Sequence, residues 1–342
     1  MVNAPSVAVV ILNYNGKNWL EQFLPQVLAT DYPGVEIIIA DNASTDDSIG
    51  WLTSTYPAVR LIQLSSNLGY AGGYNRALQQ VVANYFVLLN SDVSVQPGWL
   101  GPLIDCMEAS TNIGAAQPKI RSFHAPNLFE YAGAAGGWLD AWGYPFSRGR
   151  VMDTIEPDRG QYNDSPSIFW ATGAALCVRQ SAWEEAGGLD EMFFAHQEEI
   201  DLCWRLQLLG YQVVACGNSE VYHVGGGTLP VGSRKVYLNF RNNLLMLGKN
   251  LLPIEQLYTI PIRFALDGVA AWRALLNGKG GEFMGIARAH LYVLGWWLRG
   301  KNKPSKARKP IRSLVGVYKG MVLVDYFLRG KKLFSEIIRI NK

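Results

Sequence analysis

Several short polar clusters in this chain carry residue types that can do chemistry. Asn90-Ser91-Asp92 follows a run so apolar (Tyr85-Phe86-Val87-Leu88-Leu89) that its end must emerge at the rim of a sheet. A carboxylate there can hold a hard divalent cation through oxygen, and the cation can bridge a diphosphate. Alternatively, Asp92 caps the next turn or helix. Asp41 and Asp46 flank Asn42, Ser44 and Thr45. One carboxylate can accept from a base N–H or a ribose hydroxyl, while the other caps the following helix. The densest constellation is His196-Gln197-Glu198-Glu199-Ile200-Asp201-Leu202-Cys203-Trp204-Arg205. At helical spacing Asp201 and Arg205 are i,i+4 partners and read as an ion pair. Glu198 lies one turn before Asp201 on the same side. Glu199 has Leu202 and Cys203 as its i+3 and i+4 neighbours, an apolar setting that raises a carboxylate toward a useful base. A solvated, acid-rich helix N-terminus is the alternative.

His223 sits in Val221-Tyr222-His223-Val224-Gly225 and reads either as a structural residue or as a ligand. The four histidines lie far apart and no His/Cys ligand spacing recurs, which argues against zinc. Asn67-Leu68-Gly69-Tyr70-Ala71-Gly72-Gly73-Tyr74-Asn75 is Gly-rich but matches neither GxGxxG nor GxxxxGK[ST]. That counts against a dinucleotide-dependent dehydrogenase and a P-loop NTPase. Its glycines permit close backbone approach to a ligand, or form a plain turn. The four cysteines include no CxxC pair and read as reduced, buried thiols.

These clusters need a scaffold that gathers them. Val7-Ala8-Val9-Val10-Ile11-Leu12 reads as a buried parallel strand that ends at Asn13-Tyr14-Asn15-Gly16, before a helix over residues 19–29. Residues 35–40 form a second strand and residues 59–64 a third, followed by a Gly-rich turn and a helix near residues 74–82. The run from Tyr85 to Leu89 is the fourth. Strand, polar loop and helix in repetition mark a doubly wound α/β sheet, whose ligands bind outside the carboxyl ends of the strands. The polar loops at 13–16, 41–46, 67–73 and 90–92 all fall at those ends. Between residues 115 and 167 the pattern dissolves into Gly, Trp, Tyr and Pro. Beyond it, residues 169–178 read as a buried segment, 181–188 as a short helix and 198–209 as an amphipathic helix stopped by Gly210. Residues 211–215 form another strand. After residue 250 the chain becomes helical, with residues 282–298 and 312–334 combining apolar stripes with Arg and Lys around a basic linker at 300–310.

Hydrophobic residues make up 49% and charged residues 17%, which excludes a disordered chain. The net charge of +3 hides an asymmetry. From Arg299 to Lys342 there are 13 Lys/Arg against Asp325 and Glu336, a net of +11, so the remainder carries −8. A tail both basic and apolar fits an anionic membrane surface better than nucleic acid. Trp272, Trp296 and Trp297 on the C-terminal helices fit that reading, and a helical dimer interface is the alternative. No uncharged apolar run reaches the roughly 18–20 residues needed to span a bilayer. No charged leader precedes an apolar run at the N-terminus, so a signal peptide is not expected. The expected location is the cytoplasm, peripheral on the inner face of the cell membrane.

Taken in order across residues 5–245, these strings resemble the nucleotide-diphospho-sugar transferases of glycosyltransferase family 2, in particular the rhamnosyltransferase-like branch. The strings are Val9 to Gly16, Asp41 to Asp46, Ser66 to Asn75, Leu88 to Asp92, Thr172-Gly173-Ala174, Gly187 to Phe194, Glu198 to Arg205, His223 and Arg241-Asn242. The resemblance implies a GT-A fold over residues 1–250, with a donor half at about 1–115 and an acceptor half at about 116–250. A basic, amphipathic helical extension over residues 251–342 would associate with membrane. It implies inverting transfer of a sugar from a UDP- or dTDP-sugar to an acceptor hydroxyl of a cell-surface polysaccharide or lipid-linked glycan. Asp92, last residue of a DxD-like motif whose first Asp is here Asn90, binds Mg²⁺ or Mn²⁺, with His223 as a further ligand. Asn13, Asn15, Asp41, Asn67, Gly72, Asn75, Asn90 and Ser91 join Asp92 around the donor. Trp170, Thr172, Gly173 and Arg241 serve the acceptor. Glu199 stands where the family has the Asp of a Glu-Asp pair and is the general base, with Glu198 and Asp201 beside it as catalytic candidates. A nucleotidyltransferase or a non-catalytic nucleotide-sugar-binding protein are the rival readings.

Overall fold

The computed structural model describes residues 4–131, 133–225, 232–300, 305 and 307–338, so the basic linker at 300–310 lies partly outside the described residues. Strands and helices alternate at first as β1 (Val7–Asn13), α1 (Lys17–Leu28), β2 (Val35–Asp41), α2 (Ser48–Thr55), β3 (Arg60–Gln63), α3 (Gly69–Leu78) and β4 (Tyr85–Leu89). Then come β5 (Val93–Val95), α4 (Leu100–Glu108), β6 (Ile113–Ser122) and four short strands, β7 (Gly137–Asp140), β8 (Pro145–Ser147), β9 (Arg150–Val151) and β10 (Thr154–Ile155). The chain continues through β11 (Ala175–Arg179), α5 (Gln180–Ala186), α6 (Glu198–Leu209), β12 (Gln212–His223) and α7 (Ser233–Asn250). It closes with α8 (Pro253–Leu276), α9 (Gly280–Leu298), β13 (Val317–Tyr318) and α10 (Phe334–Ile337).

The main sheet runs β3-β2-β1-β4-β11-β6-β12-β5, with β1 to β4 parallel and β11 antiparallel to both its neighbours. Strand periodicity distributes its two cores. Val7, Val9 and Ile11 pack on one face with Leu20, Leu24 and Leu103 of α1 and α4. Ala8 and Val10 pack on the other with Tyr74, Leu202 and Leu245 of α3, α6 and α7. A second sheet, β10-β9-β8-β7-β13, covers a small aromatic core of Phe129, Phe146, Tyr162 and Phe334.

Three features differ from the sequence-based expectations. The Gly-rich segment is no turn, because Gly69 opens α3 and Gly72 and Gly73 lie inside it. A Cβ at Gly69 would stand 2.6 Å from the Phe194 carbonyl and one at Gly73 2.8 Å from Leu12, so these glycines serve close packing. The stretch after Asn90-Ser91-Asp92 is a strand rather than a helix. β5 pairs antiparallel with β12, with Val93 opposite His223, and that register carries Asp92 across 131 residues of sequence to the histidine. Finally, the helix expected over residues 312–334 is replaced by irregular chain. Asp325 there draws in Lys331 and Arg329, β13 pairs with β7, and Phe334 enters the aromatic core.

α8 has its polarity inverted. Glu255, Gln256, Thr259, Arg263 and Asp267 face inward and are buried, while Ile254, Leu257, Val269, Trp272 and Leu276 face outward at 60–85% exposure. Glu255 holds the Ile311 amide and Arg263 the Trp142 carbonyl, so the polar face docks the helix by hydrogen bonds. α9 adds exposed Leu291, Leu294, Trp297 and Leu298, whereas Trp296 is buried. No helix among the described residues is long and apolar enough to cross a membrane.

Candidate active site

The carboxyl ends of β1, β2 and β4 and the start of α6 enclose a cavity of about 330 Å³. Its floor is laced by hydrogen bonds between the strand-end loops. Asn13 Nδ2 donates to Asp41 Oδ1 at 3.0 Å and to Ser44 Oγ at 3.1 Å, and the Ser44 amide donates to Asp41 Oδ2 at 2.9 Å. Asn15, held at a φ of 51°, accepts from the Thr45 amide at 2.7 Å. Asn42 bonds Asn67 Oδ1 and the Leu68 amide, tying the end of β2 to the start of α3. Asp46 accepts from the Lys17 and Ser48 amides, the first of α1 and of α2, although the N-cap position of α2 is Asp47.

At the end of β4, Asn90 and Ser91 line the cavity and Asp92 is buried just behind them. Asp92 Oδ1 lies 3.2 Å from His223 Nε2, and His223 Nδ1 lies 3.3 Å from Glu130. Burial works against a charge on His223, but the Asp92 and Glu130 carboxylates overcome it and push its pKa up to about 10. Two carboxylates thus converge where a positive charge is favoured, and Asp92 Oδ2 has no hydrogen-bond partner among the described residues. Oxygen donors with one imidazole suit a hard divalent cation. Asp92 and His223 could each supply one ligand to such an ion, with Glu130 on the far side of the ring, but no group of three or more metal-ligating side chains gathers among the described residues.

The opposite wall is built on strain. Phe194, His196 and Gln197 all hold positive φ (63°, 70° and 74°), each costing about 1–3 kcal/mol. Asn242 Nδ2 holds this turn by donating to the carbonyls of Phe193 (2.9 Å), Ala195 (2.8 Å) and His196 (2.7 Å). Arg241 Nη2 donates to the carbonyls of Met192 and Phe193. The turn delivers Glu198 and Glu199 to the cavity, and Oε2 of each has no partner among the described residues. Burial pushes the Glu199 pKa up to about 7. Burial and the charge of Glu199 hold Glu198 well above the usual carboxylate range. Asp201, one turn on, differs. Burial disfavours its charge too, but Arg205, Lys249 and Asn250 together hold its pKa low.

Of the sequence-predicted residues, Asn15, Asn67, Asn90, Ser91, Thr172, Gly173, Glu198, Glu199 and His223 line this one cavity. Asn13, Asp41 and Asp92 lie buried immediately beneath it. The others are engaged elsewhere. Gly72 packs near Leu68, and Asn75 is bonded to Leu189 and Glu191. Trp170 is buried against Gly137 and donates to the Trp138 carbonyl. Arg241 clamps the turn rather than lining the cavity, and Asp201 is locked in its ion pairs. Sequence reasoning missed Tyr14, Trp19, Tyr70, Glu130 and His196 on the walls, Arg234 and Lys235 at the start of α7, and the buried Asn242 behind them. Arg241-Asn242 was visible as a motif. Its role was not, because the partners are main-chain carbonyls almost 50 residues away.

A family model, Glycosyl transferase family 2, matches residues 8–160. An N-acetylglucosaminyl-diphospho-decaprenol L-rhamnosyltransferase of Mycobacterium tuberculosis is 32% identical over 231 residues, 63% of this chain and 75% of the relative. A low-salt glycan biosynthesis hexosyltransferase of Haloferax volcanii is 23% identical over 249 residues, 70% of this chain and 74% of the relative. In fold, the chain is similar to GalNAc-T7 solved with UDP, GalNAc and Mn²⁺ (TM-score 0.57, 13% identity), covering 74% of this chain and about half (49%) of that one. It is likewise similar to a mannosyltransferase of Pyrobaculum calidifontis solved with GDP-Man and Mn²⁺ (TM-score 0.53, 14% identity), over 88% of this chain and 80% of that one. These are GT-A glycosyltransferases, and the mixed sheet with its strand-end cavity is that fold. The cavity of polar strand ends and buried acids, with a rhamnosyltransferase relative matched over three quarters of its length, makes this chain a glycosyltransferase that belongs to glycosyl transferase family 2.

Proposed function

We propose that the chain transfers a hexosyl or deoxyhexosyl group from a UDP- or dTDP-sugar to a hydroxyl of a lipid-linked or cell-surface glycan, with inversion at the anomeric carbon. The observation that carries this reading is one cavity that combines an unpaired carboxylate poised near neutrality with a buried Asp–His pair fit for a divalent cation. Glu199 takes the proton of the acceptor hydroxyl as that oxygen attacks the anomeric carbon. Glu198, kept protonated by burial and by its neighbour, leaves Glu199 as the group that exchanges a proton. Asp92 and His223 would hold Mg²⁺ or Mn²⁺, which when bound neutralises the departing diphosphate. Arg234 and Lys235, across the cavity, add positive charge to the same path. Asn13, Asn15, Asp41, Asn67, Asn90 and Ser91 set the donor floor, and Thr172 and Gly173 face the acceptor. Similarity to the mycobacterial N-acetylglucosaminyl-diphospho-decaprenol L-rhamnosyltransferase favours a deoxyhexose and a polyprenyl-diphosphate-linked acceptor.

In this reading residues 1–115 bind the donor, 116–250 the acceptor, and the extension after residue 251 rests on an anionic membrane surface at the cytoplasmic face. The apolar outer faces of α8 and α9, beside Arg273, Arg288 and Arg299, support that surface. Wild-type protein should sediment with phosphatidylglycerol-containing vesicles, and a Leu257→Glu, Trp272→Glu double variant should not. Wild type that stays free of vesicles, or that dimerises through this face, contradicts the membrane claim. For the donor, thermal stabilisation by UDP, dTDP, GDP and CMP with and without Mn²⁺ is the direct test. A metal-dependent shift with UDP or dTDP is expected, and no shift with any nucleotide sinks the reading.

A further inference from the structure

A second cavity, of about 630 Å³, adjoins the first between α7 and α9, and its walls include Arg234, Tyr237, Met284, Gly285, Arg288 and Tyr292. Arg234 borders both cavities, so the second lies beside the one that Glu199 lines. Gly285 makes the groove possible, since a Cβ there would stand 2.8 Å from the Ser233 carbonyl and force α9 off α7. The wall is rigid, because the Arg241 guanidinium lies over the rings of Tyr237 (5.4 Å) and Tyr292 (5.2 Å). Arg234 and Arg288 are exposed, and neither has a carboxylate partner among the described residues. Two guanidiniums on one groove, neither in an ion pair among the described residues although Arg234 lies over the Phe194 ring, ask for an anion, and their planar forks match phosphate oxygens.

What adjoins the groove narrows the kind of anion. Its rim passes from Met284 onto the exposed Leu291, Leu294, Trp297 and Leu298 of α9 and the apolar outer face of α8. A ligand that suits both surfaces is charged at one end and greasy at the other. We propose that this groove binds the phosphate or diphosphate of a lipid-linked acceptor, with Arg288 and Arg234 on the phosphate oxygens and the lipid along α8 and α9. The first sugar beyond the phosphate then enters the main cavity at Glu199. This assignment rests on the glycosyl-transfer reading for its direction, but the groove and its charge stand independently of it.

Farnesyl diphosphate is a suitable probe, with inorganic pyrophosphate and farnesol as separate arms, titrated into the full chain by calorimetry. Farnesyl diphosphate should bind more tightly than either arm. Arg288→Ala should weaken it about tenfold or more, and Arg288→Glu further still. Arg288 does not line the donor cavity, so affinity for the nucleotide with Mn²⁺ should stay unchanged in both variants. Equal melting temperatures establish that the variants are folded. Farnesyl diphosphate affinity insensitive to both Arg288 variants overturns the groove, as does full competition by the nucleotide. Pyrophosphate binding as tightly as farnesyl diphosphate overturns the lipid part, leaving a free-phosphate site. Arg288-sensitive farnesyl diphosphate binding in a protein that binds no nucleotide would instead keep the groove and sink the transferase reading.

Discussion

On the proposed donor wall, where β1 and β2 end, polar side chains are bonded to one another, although Asn13 Oδ1 has no partner among the described residues. Asn13 meets Asp41 and Ser44, Asn15 meets Thr45, and Asn42 meets Asn67. On the facing wall, at the start of α6, three residues hold positive φ, against Asn15 and Ala43 on the first wall, and two glutamates each leave an oxygen without a partner among the described residues. The first wall is a preformed ledge whose hydrogen bonds stabilise the fold with or without a ligand. The second is held against its own preference, with Asn242 and Arg241 bracing it from behind. A binding surface benefits from satisfied groups that already stand in place, whereas a base must keep a lone pair free and a proton affinity near working pH. The same helix shows both designs, because Asp201 is saturated by Arg205, Lys249 and Asn250 while Glu199, half a turn away, is left free to react.

Four substitutions sharpen this contrast. Glu199→Gln should lower the transfer rate by about 10²–10⁴-fold with donor affinity intact. The same variant should melt higher at neutral and alkaline pH. Burial raises the folded-state pKa to about 7 from the ordinary 4.5, so the wild type loses stability as pH rises between those values and stays lower above them. Equal melting at pH 8 would mean that the carboxylate is not desolvated. Asp201→Ala should do the reverse and destabilise the fold by about 3–5 kcal/mol, because it strips the half-buried Arg205 of its carboxylate and leaves the buried Lys249 with Asp190 alone. Urea unfolding reads this directly, and a change under 1 kcal/mol would remove Asp201 from its structural role. Asn242→Ala should cost about 1–3 kcal/mol and lower kcat while leaving the donor KM near wild type, since it releases the acid-bearing turn but not the ledge. A rise in donor KM alone would contradict the division between the walls. Gly69→Ala, which presses a methyl on Phe194 at the seam and strains a φ of +72°, should destabilise by about 1–2 kcal/mol, with a smaller loss of kcat.

The sheet was legible because its signals are local. Runs rich in Val and Ile mark β1 and β2, and Gly210 closes α6 where an αL residue is wanted. The floor was legible too, since Asn13, Asp41 and Asn90 stand at strand ends by sequence alone. The second sheet was not, because β8, β9 and β10 are two or three residues long and show no periodicity. α3 was hidden by glycines chosen for packing against Phe194 and Leu12, contacts that no local window contains. The residues 312–334 carry a helix-like apolar stripe, yet tertiary demand for Phe334 and Val322 in the aromatic core overrides it. Arg241 is assigned to the acceptor by the family resemblance alone. The backbone carbonyls it holds become visible only once the turn is built.

The central claim, that Glu199 is the base of a glycosyl transfer, is tested most directly by the pH dependence of the transfer rate in wild type and Glu199→Gln side by side. The wild-type rate should rise tenfold per pH unit at low pH and level off near pH 7, where Glu199 loses its proton. The residual rate of the variant should be flat across that range. A variant that keeps both the wild-type rate and its acid limb would contradict the assignment and pass the role to another group in the cavity.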